Sequence, residues 1–369
     1  MKVVVAMSGG LDSSVAALRL LEAGHHVTGV LFRLWDPLAG AASRCCSDED
    51  VRDAHRVAET LGIALQEVCT SRRFFDEIFM AALEEYAAGR TPNPCVVCNQ
   101  RIKFAELETV RRESGADAVA TGHYARVERD EGGRIRLLRA ADARKDQSYF
   151  LYRVPRPVLE RLLLPVGGLA KDEVRRLARE AGLPVAAKDE SQELCFVPRG
   201  TSHAELVESW LPEAPRPGEI VDREGRVLGR HGGVHRFTVG QRRGLGIAAG
   251  LPLYVVALEA DSGRIVVGTA GELDVREILV RDTVWIAGEP PADRFRCTVK
   301  IRSRHRGTEA EIMVDGDRLH ITGAEPFHAP APGQAAVLYR GEEVLGGGVI
   351  ETGAAPTDHP SREAPAARR

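Results

Sequence analysis

Hydrophobic and polar residues follow two different periods along the first part of the chain. Short apolar runs without polar alternation are typical of strands that are buried on both faces of a parallel sheet. Residues 3–6 form such a run, and further strands are predicted at 26–32, 63–68 and 118–121. Segments with apolar residues at helical spacing separate them, at 15–21, 47–61, 74–88 and 102–112, with a polar loop before the last. This order predicts an α/β fold with a doubly wound parallel sheet, whose ligand binds at the carboxyl ends of the strands.

The pattern changes after an amphipathic helix at 171–181. The segment 212–218 contains three prolines and predicts a linker, because proline disfavours both helix and sheet. Beyond it, short strands separated by glycine turns predict β-rich structure, and 278–350 has the strand spacing of a small barrel. The final residues are rich in alanine, proline and charge, which is typical of disorder.

The first predicted strand is followed by the sequence SGGLDSS at residues 8–14. The glycines let backbone amides approach an anion, while the helix start adds partial positive charge and the serine hydroxyls add donors. Asp12 or Ser13 can cap the helix. The loop has no lysine of the Walker type. Phe32 and Gly122 end neighbouring strands, so we expect both to converge on this loop, with Phe32 either bordering an adenine or serving as core.

Composition narrows the class of protein. The 369 residues predict two or three domains. The sequence shows neither a secretion signal nor a long apolar run, so we expect a cytoplasmic protein without a membrane span. Its seven cysteines are odd in number and too sparse for a disulfide scaffold. The net charge of −3 gives no global indication of nucleic-acid binding.

Cysteines recur in two short motifs. Cys95 and Cys98 are separated by two residues, a spacing that suits one metal ion or a redox pair. A structural zinc site needs four ligands, and the sequence has no second such pair of cysteines. Cys195 lies in SQELCF, and on its own it would be interpreted as a small buried hydrophobe.

Basic residues alternate with apolar ones from Arg296 to Arg306. As a strand, this segment would place five cations on one face. Such a face suits a phosphate backbone, but a solvated strand has the same pattern.

Taken together and in order, SGGLDSS, TPNPCVVCN and SQELCF resemble the tRNA-specific 2-thiouridylase family. HRFTVGQRRGLG at 235–246 and GEEVLGGGVIE at 341–351 extend the resemblance over nearly the whole chain. It implies three domains and a tail: a pyrophosphatase-type ATP-binding domain at 1–200, a small β-rich central domain at 201–275, a C-terminal β-barrel at 276–353 and a disordered segment at 354–369.

The resemblance also implies an activity. The family is ATP-dependent: it adenylates the C2 oxygen of the wobble uridine of tRNA and replaces that oxygen with sulfur, releasing AMP and pyrophosphate. The loop at 8–13 would hold the pyrophosphate, with Mg²⁺ placed by Asp12. The implied partners are tRNAs with wobble-uridine anticodons and a sulfur donor such as a cysteine desulfurase or a sulfur-relay protein.

The family's site residues carry over onto matching positions. Cys98 is the implied nucleophile and Cys195 the implied persulfide carrier, with Asp12 assisting catalysis. The implied ATP-binding residues are Ala6, Met7, Ser8, Gly9, Gly10, Leu11, Asp12, Ser13, Phe32 and Gly122. The implied tRNA-binding residues are Asn93, Pro94, Cys95, His123, Lys145, Asp146, Gln147, Arg302, Ser303 and Gln334.

One position departs from the family pattern, because many members have aspartate where this chain has Cys95. Cys95, Cys98 and Cys195 are therefore a candidate ligand set for a [4Fe-4S] cluster with one open iron. The alternative is a persulfide relay through Cys195 and Cys98. Two other functions stay open: a pyrophosphatase-type ATP enzyme acting on a small molecule, and a metal-stabilised RNA-binding protein without catalysis.

Overall fold

The computed structural model describes residues 1–34, 48–188, 194–198, 200–214, 216–248 and 250–354. The α-helices are α1 (Leu11–Glu22), α2 (Asp48–Leu61), α3 (Ser71–Phe74), α4 (Ala81–Ala87), α5 (Pro94–Cys98), α6 (Phe104–Ser114), α7 (Arg156–Leu159), α8 (Lys171–Glu180) and α9 (His203–Trp210). The strands are β1 (Lys2–Ala6), β2 (His26–Arg33), β3 (Ala64–Cys69), β4 (Ala118–Ala120), β5 (Ala125–Arg129), β6 (Ile135–Arg139), β7 (Leu162–Leu163), β8 (Gly218–Val221), β9 (Val227–His231), β10 (Tyr254–Glu259), β11 (Arg264–Gly268), β12 (Asp274–Trp285), β13 (Arg294–Lys300), β14 (Thr308–Asp315), β15 (Arg318–His328), β16 (Ala335–Arg340) and β17 (Glu343–Ala354).

The first domain is built on a parallel sheet with the strand order β3-β2-β1-β4-β7. Successive residues of a strand point to opposite faces. Val3 and Val5 accordingly pack in one core cluster with α1 and α8, while Val4 packs in another with α4 and α6. Both faces of the sheet are covered, so the predicted doubly wound α/β fold is confirmed.

The cysteine pair lies on a helix. The sequence predicted a polar loop here, with the helix beginning at 102, and this was wrong. Helix α5 begins at Pro94 and continues through a π-helical segment, Asn99–Lys103, into α6. Proline is compatible with the first turn because the amide it lacks has no partner there. Single π-helical turns are often found at functional sites.

The C-terminal strands form a closed antiparallel barrel with the order β12-β15-β14-β13-β16-β17, and pairing between β12 and β17 closes it. A hairpin from the first domain extends this sheet: β6 pairs with β5 and also with the start of β17, where Leu138 lies opposite Glu343. The barrel and the first domain therefore share one sheet, a connection that the sequence did not predict.

Between them lies a four-stranded sheet with the order β10-β11-β8-β9, whose core includes Ile220, Val255 and Ile265. Ala354, assigned to the disordered tail, ends β17, and the rest of that tail lies outside the described residues. Within the described part of the chain, no helix is both long and apolar enough to cross a membrane.

Candidate active site

The loop after β1 is closed by its own serines. The backbone N–H of Ser8 donates to Oγ of Ser13 at 3.1 Å, and the hydroxyls of Ser13 and Ser14 donate to the carbonyl oxygen of Gly10 at 3.1 and 2.8 Å. Gly10 is the N-cap of α1, without a side-chain cap. The predicted cap at Asp12 or Ser13 was therefore wrong, because the helix begins earlier and these hydroxyls fix the loop instead.

Two glycines allow other elements to approach the loop closely. Gly9 has φ +65°, and a Cβ there would lie 2.1 Å from the carbonyl oxygen of Asp50 in α2. A Cβ on Gly122 would lie 2.5 Å from the backbone nitrogen of Ser13. Gly122 lies two residues after the end of β4, so the carboxyl edge of the sheet meets the first turn of α1, as expected for a ligand site in this fold.

The remaining predicted ATP-binding residues line or support this edge. Met7 and Leu11 are buried, and the Met7 amide donates to the carbonyl oxygen of Val30 at 2.8 Å. Ala6 ends β1. Phe32 is 7% exposed and packs in a core cluster of the first domain, so its contact with an adenine stays a prediction.

A lysine from a distant segment reaches Asp12. Nζ of Lys171, at the start of α8, lies 2.6 Å from Oδ1 of Asp12, and the hydroxyl of Tyr124 donates to the same oxygen at 2.7 Å. Lys171 is only 4% exposed. The phosphate loop thus has a buried ammonium group beside it after all. The sequence did not predict this contact, because Asp12 and Lys171 are 159 positions apart and no motif connects them.

His123 links this loop to the cysteine helix. Its Nδ1 lies 2.8 Å from Oγ1 of Thr121, and its ring stacks on Phe104, the first residue of α6, with 6.0 Å between ring centroids. The surrounding atoms, and then the nearby charge of Lys103, lower the pKa of His123 to about 3. The imidazole is therefore neutral at physiological pH.

The cysteine motifs meet at this end of the molecule. Cys98 is buried, whereas Cys95 and Cys195 are partly exposed. Burial, followed by the nearby Cys195 thiol, raises the pKa of Cys95 to about 11, although Lys103 opposes this. The structure therefore brings Cys95 within electrostatic reach of Cys195 and keeps it a thiol at neutral pH. Ser191, Gln192 and Glu193 of the second motif lie outside the described residues.

The barrel holds the chain that leads into the cysteine helix. Nε2 of Gln334 donates to the carbonyl oxygens of Thr91 and Pro92 at 2.9 and 3.2 Å, and the Thr91 amide donates to Pro332 at 2.7 Å. Asn93 and Pro94 follow directly. Gln334, predicted from the family to bind tRNA, therefore also fixes the position of the neighbouring predicted residues.

The predicted tRNA-binding segment 145–147 is held by hydrogen bonds to the backbone of the first domain. Oδ1 of Asp146 accepts from the amides of Ala140 and Ser148, and Oε1 of Gln147 accepts from the Tyr124 amide at 2.9 Å. Lys145 lies in the same turn. These side chains give the segment its shape, and they connect it to Tyr124 beside Asp12.

The basic segment of the barrel differs from the prediction. Strand β13 ends at Lys300, so Arg302, Arg304 and Arg306 lie in the following loop, where all three are exposed. Lys300 is buried, with Nζ 5.8 Å from the centre of the Tyr339 ring. The prediction of a single basic strand face was therefore wrong, because β13 ends before Arg302 and Lys300 is buried beside Tyr339. Ser303 lies between the exposed arginines.

Three family models match successive parts of the chain: a tRNA methyl transferase HUP domain at 1–199, a tRNA methyl transferase PRC-barrel domain at 205–269 and an aminomethyltransferase β-barrel domain at 275–350. The tRNA-specific 2-thiouridylase of Geobacter metallireducens is 46% identical over 95% of this chain and 96% of that protein. The protein of that name from Sorangium cellulosum is 47% identical over 95% and 92%.

The chain belongs to the tRNA-specific 2-thiouridylase family. The resemblance inferred from the motifs is thereby confirmed. A solved 4-thiouridine synthetase–RNA complex with bound ATP is also similar, with a TM-score of 0.36 and 22% identity over 58% of this chain and 51% of that one. At this TM-score the similarity does not establish a shared function.

The [4Fe-4S] cluster suggested by the third cysteine would need Cys95, Cys98 and Cys195 grouped around one centre. Among the described residues, no group of three or more His, Cys, Asp or Glu side chains is arranged to hold a metal ion. The arrangement of Cys95, Cys98 and Cys195 does not fit the cluster, so no chemical step is derived through it.

Proposed function

We propose that this chain is an ATP-dependent tRNA sulfurtransferase that converts the wobble uridine of tRNA to 2-thiouridine. One observation carries the proposal: the lysine-free phosphate loop and the two cysteine motifs are joined by packed contacts. Gly122 touches the first turn of α1, and the next residue, His123, stacks on the helix that carries Cys98. These contacts support a site in which ATP and a thiol act on one substrate atom.

Activation of the uridine uses the ATP loop. The C2 oxygen is a poor leaving group, so it attacks the α-phosphorus of ATP and becomes a phosphate ester, while pyrophosphate departs into the loop at 8–13. Lys171, buried beside the loop, would stabilise the negative charge that develops on the pyrophosphate. A loop of this kind does not need a lysine of its own.

Mg²⁺ would add to this stabilisation. The ion usually binds one or two carboxylates together with substrate phosphates. Asp12 fits that role, since it is partly exposed at the loop and both Lys171 and Tyr124 contact its Oδ1. Mg²⁺ would neutralise phosphate charge when bound there.

Sulfur transfer would use the cysteines. A donor such as a cysteine desulfurase or a relay protein leaves a persulfide on Cys195. Its terminal sulfur attacks C2 and AMP departs. The Cys98 thiolate then attacks Sγ of Cys195, so a Cys98–Cys195 disulfide forms, the sulfur–sulfur bond to the nucleoside breaks and 2-thiouridine is released. A dithiol reductant must regenerate both thiols.

Chain connectivity limits how far the residue proposed to carry sulfur can lie from the ATP loop. Nζ of Lys188 donates to the carbonyl oxygen of Gly9 in that loop at 3.0 Å, and Cys195 follows seven positions later in the chain. Seven residues span at most about 25 Å when fully extended. The Cα atom of Cys195 therefore lies at most about 25 Å from the Cα atom of Lys188, whose side chain contacts the loop.

The domains would divide the work, with 1–200 activating the base and carrying sulfur and with 201–275 and 276–353 supporting the tRNA. Arg302, Arg304 and Arg306 are exposed and would contact phosphates of the RNA. We place the activity in the cytoplasm, where tRNA and ATP are both available.

Incubation with ATP, a tRNA transcript and a persulfide donor tests the proposal. We expect AMP, pyrophosphate and 2-thiouridine, the last identified by nucleoside mass spectrometry. Replacement of oxygen by sulfur and addition of a methyl group change the mass differently, which separates this reaction from the methyl transfer named in the family models. Formation of ADP, or ATP turnover that tRNA does not stimulate, would contradict the proposal.

A further inference from the structure

A second lysine contacts the phosphate loop through its backbone. Nζ of Lys188 lies 3.0 Å from the carbonyl oxygen of Gly9, 2.7 Å from Oδ1 of Asp50 and 2.6 Å from Oδ2 of Asp53. An ammonium group has three donors, so these three acceptors can use all of them. The side chains of Lys188, Asp50 and Asp53 are 25%, 20% and 13% exposed, which limits competition from water for these hydrogen bonds.

The contact fixes the direction of the next amide. The structure has no cis peptide bond in the described chain, and in a trans peptide the carbonyl and the following N–H point in opposite directions. Because the Gly9 carbonyl points to Lys188, the Gly10 N–H points away from it. Gly10 caps α1, whose first amides have no acceptor within the helix and are available for an anion.

Gly9 needs an external contact to keep this orientation. A glycine populates positive and negative φ about equally, so the +65° observed here is not imposed by its own side chain. If the Gly9–Gly10 peptide rotated, a carbonyl oxygen would face the anion in place of an N–H. The loop would then repel pyrophosphate at that point.

We propose that Lys188 is a positioning residue that locks the Gly9–Gly10 peptide of the loop in its anion-binding orientation. This inference rests on the proposed function, which assigns pyrophosphate to the loop. Lys188 therefore acts on the nucleotide through Gly9 and does not act as a free cation.

Charge supports the indirect role. The positive charge of Lys188 is offset by the carboxylates of Asp50 and Asp53, and Asp53 also lies 3.9 Å from the guanidinium of Arg56. Such a group does not attract phosphates. Burial lowers the pKa of Lys188, but hydrogen bonds to Asp50 and Asp53 outweigh it and raise the pKa overall, so the ammonium stays charged and available to Gly9.

Binding of inorganic pyrophosphate and of ATP to the full chain, measured by titration calorimetry, tests the proposal. Lys188→Met should weaken both by about tenfold or more, since a hydrogen bond to a charged donor is lost. Asp50→Asn/Asp53→Asn should keep the affinity within about threefold of wild type, because Lys188 still holds Gly9. Arg176→Met removes an exposed cation of α8 that pairs with Glu180 and should change nothing.

Three results would overturn the inference. Unchanged binding by Lys188→Met means that the loop keeps its shape without the lysine. An equal loss in Asp50→Asn/Asp53→Asn means that the acids hold the loop. If the wild-type protein binds neither ligand, the proposed function fails as well. If the wild-type protein binds both ligands and Lys188→Met binds them equally well, only this inference fails.

Folding of the variants is checked by thermal melting. If Lys188→Met does not fold, Lys188→Arg replaces it, because the retained charge can still pair with Asp50 and Asp53. Its planar guanidinium presents its donors in a fixed fork, so it cannot direct them to Gly9, Asp50 and Asp53 together as the ammonium does. We expect the same direction of change, and unchanged pyrophosphate affinity in Lys188→Arg would overturn the proposal.

Discussion

Lys171→Met gives the most direct test of how the ATP loop works without a lysine of its own. The substitution keeps the length of the side chain and removes the ammonium group that lies 2.6 Å from Asp12. Because Lys171 is 4% exposed, methionine can occupy its apolar surroundings. The change therefore isolates the charge from the packing.

Two magnitudes follow from the structure. Breaking a fully buried ion pair costs about 3–5 kcal/mol, but Asp12 has a side chain that is 29% exposed and keeps its bond to Tyr124. We therefore expect a loss of about 2 kcal/mol in the free energy of unfolding, the scale of one hydrogen bond to a charged group. The rate of AMP formation should fall by about 10²–10³, the usual effect of removing one stabilising donor from a transition state.

Single-turnover release of pyrophosphate from ATP in the presence of tRNA measures that rate, and thermal melting measures the stability. Tyr124→Phe is the matched control, since it removes the other donor to Oδ1 of Asp12 without removing a charge; we expect a smaller fall in rate. A Lys171→Met variant that melts earlier yet releases pyrophosphate at the wild-type rate would show that Lys171 only stabilises the fold, and the assigned role would be wrong.

Three further outcomes are expected. Arg302→Ala/Arg304→Ala should weaken tRNA binding and reduce the salt slope by about 2, since two phosphate contacts are lost; an unchanged slope would indicate arginines that are merely solvated. Cys98→Ser and Cys195→Ser should each abolish thiolation while AMP formation persists, and thiolation that survives either change would contradict the relay. The rate of Cys95 alkylation should rise with pH up to about 11, because the thiolate is the nucleophile and it forms only as the pH rises through the Cys95 pKa of about 11. A plateau near neutral pH would show that Cys95 is already a thiolate there. Anaerobic iron reconstitution would then be the next measurement.

The parallel sheet was predictable because its signal is local. Val3, Val4 and Val5 form an apolar run, and such a run requires cover on both faces of a strand. The roles of Gly9 in the loop and of Gly122 beside it were also predicted from the sequence, and in the structure neither position has room for a side chain. These features depend on residues that are neighbours in the sequence or on a recognisable motif.

The parts that were missed depend on contacts between distant segments. Lys171 looked like the start of an ordinary amphipathic helix, and only the folded chain brings it to Asp12. Lys300 alternates with apolar neighbours like a solvent-facing residue, yet it is buried beside Tyr339. Sequence periodicity states which residues share a face of a strand, but it does not state whether another domain covers that face.

Contacts between the first domain and the barrel show that the candidate site involves more than the first domain. Hairpin β5–β6 continues the barrel sheet through β17, and Gln334 of the barrel holds the carbonyl oxygens of Thr91 and Pro92 just before the cysteine helix. Loss of these contacts would leave Asn93 and Cys95 on a chain segment fixed from one side only. Catalytic groups must be held to within a fraction of an ångström to retain their rate advantage. The barrel therefore positions the segment that leads into the candidate site, and it is a candidate surface for RNA as well.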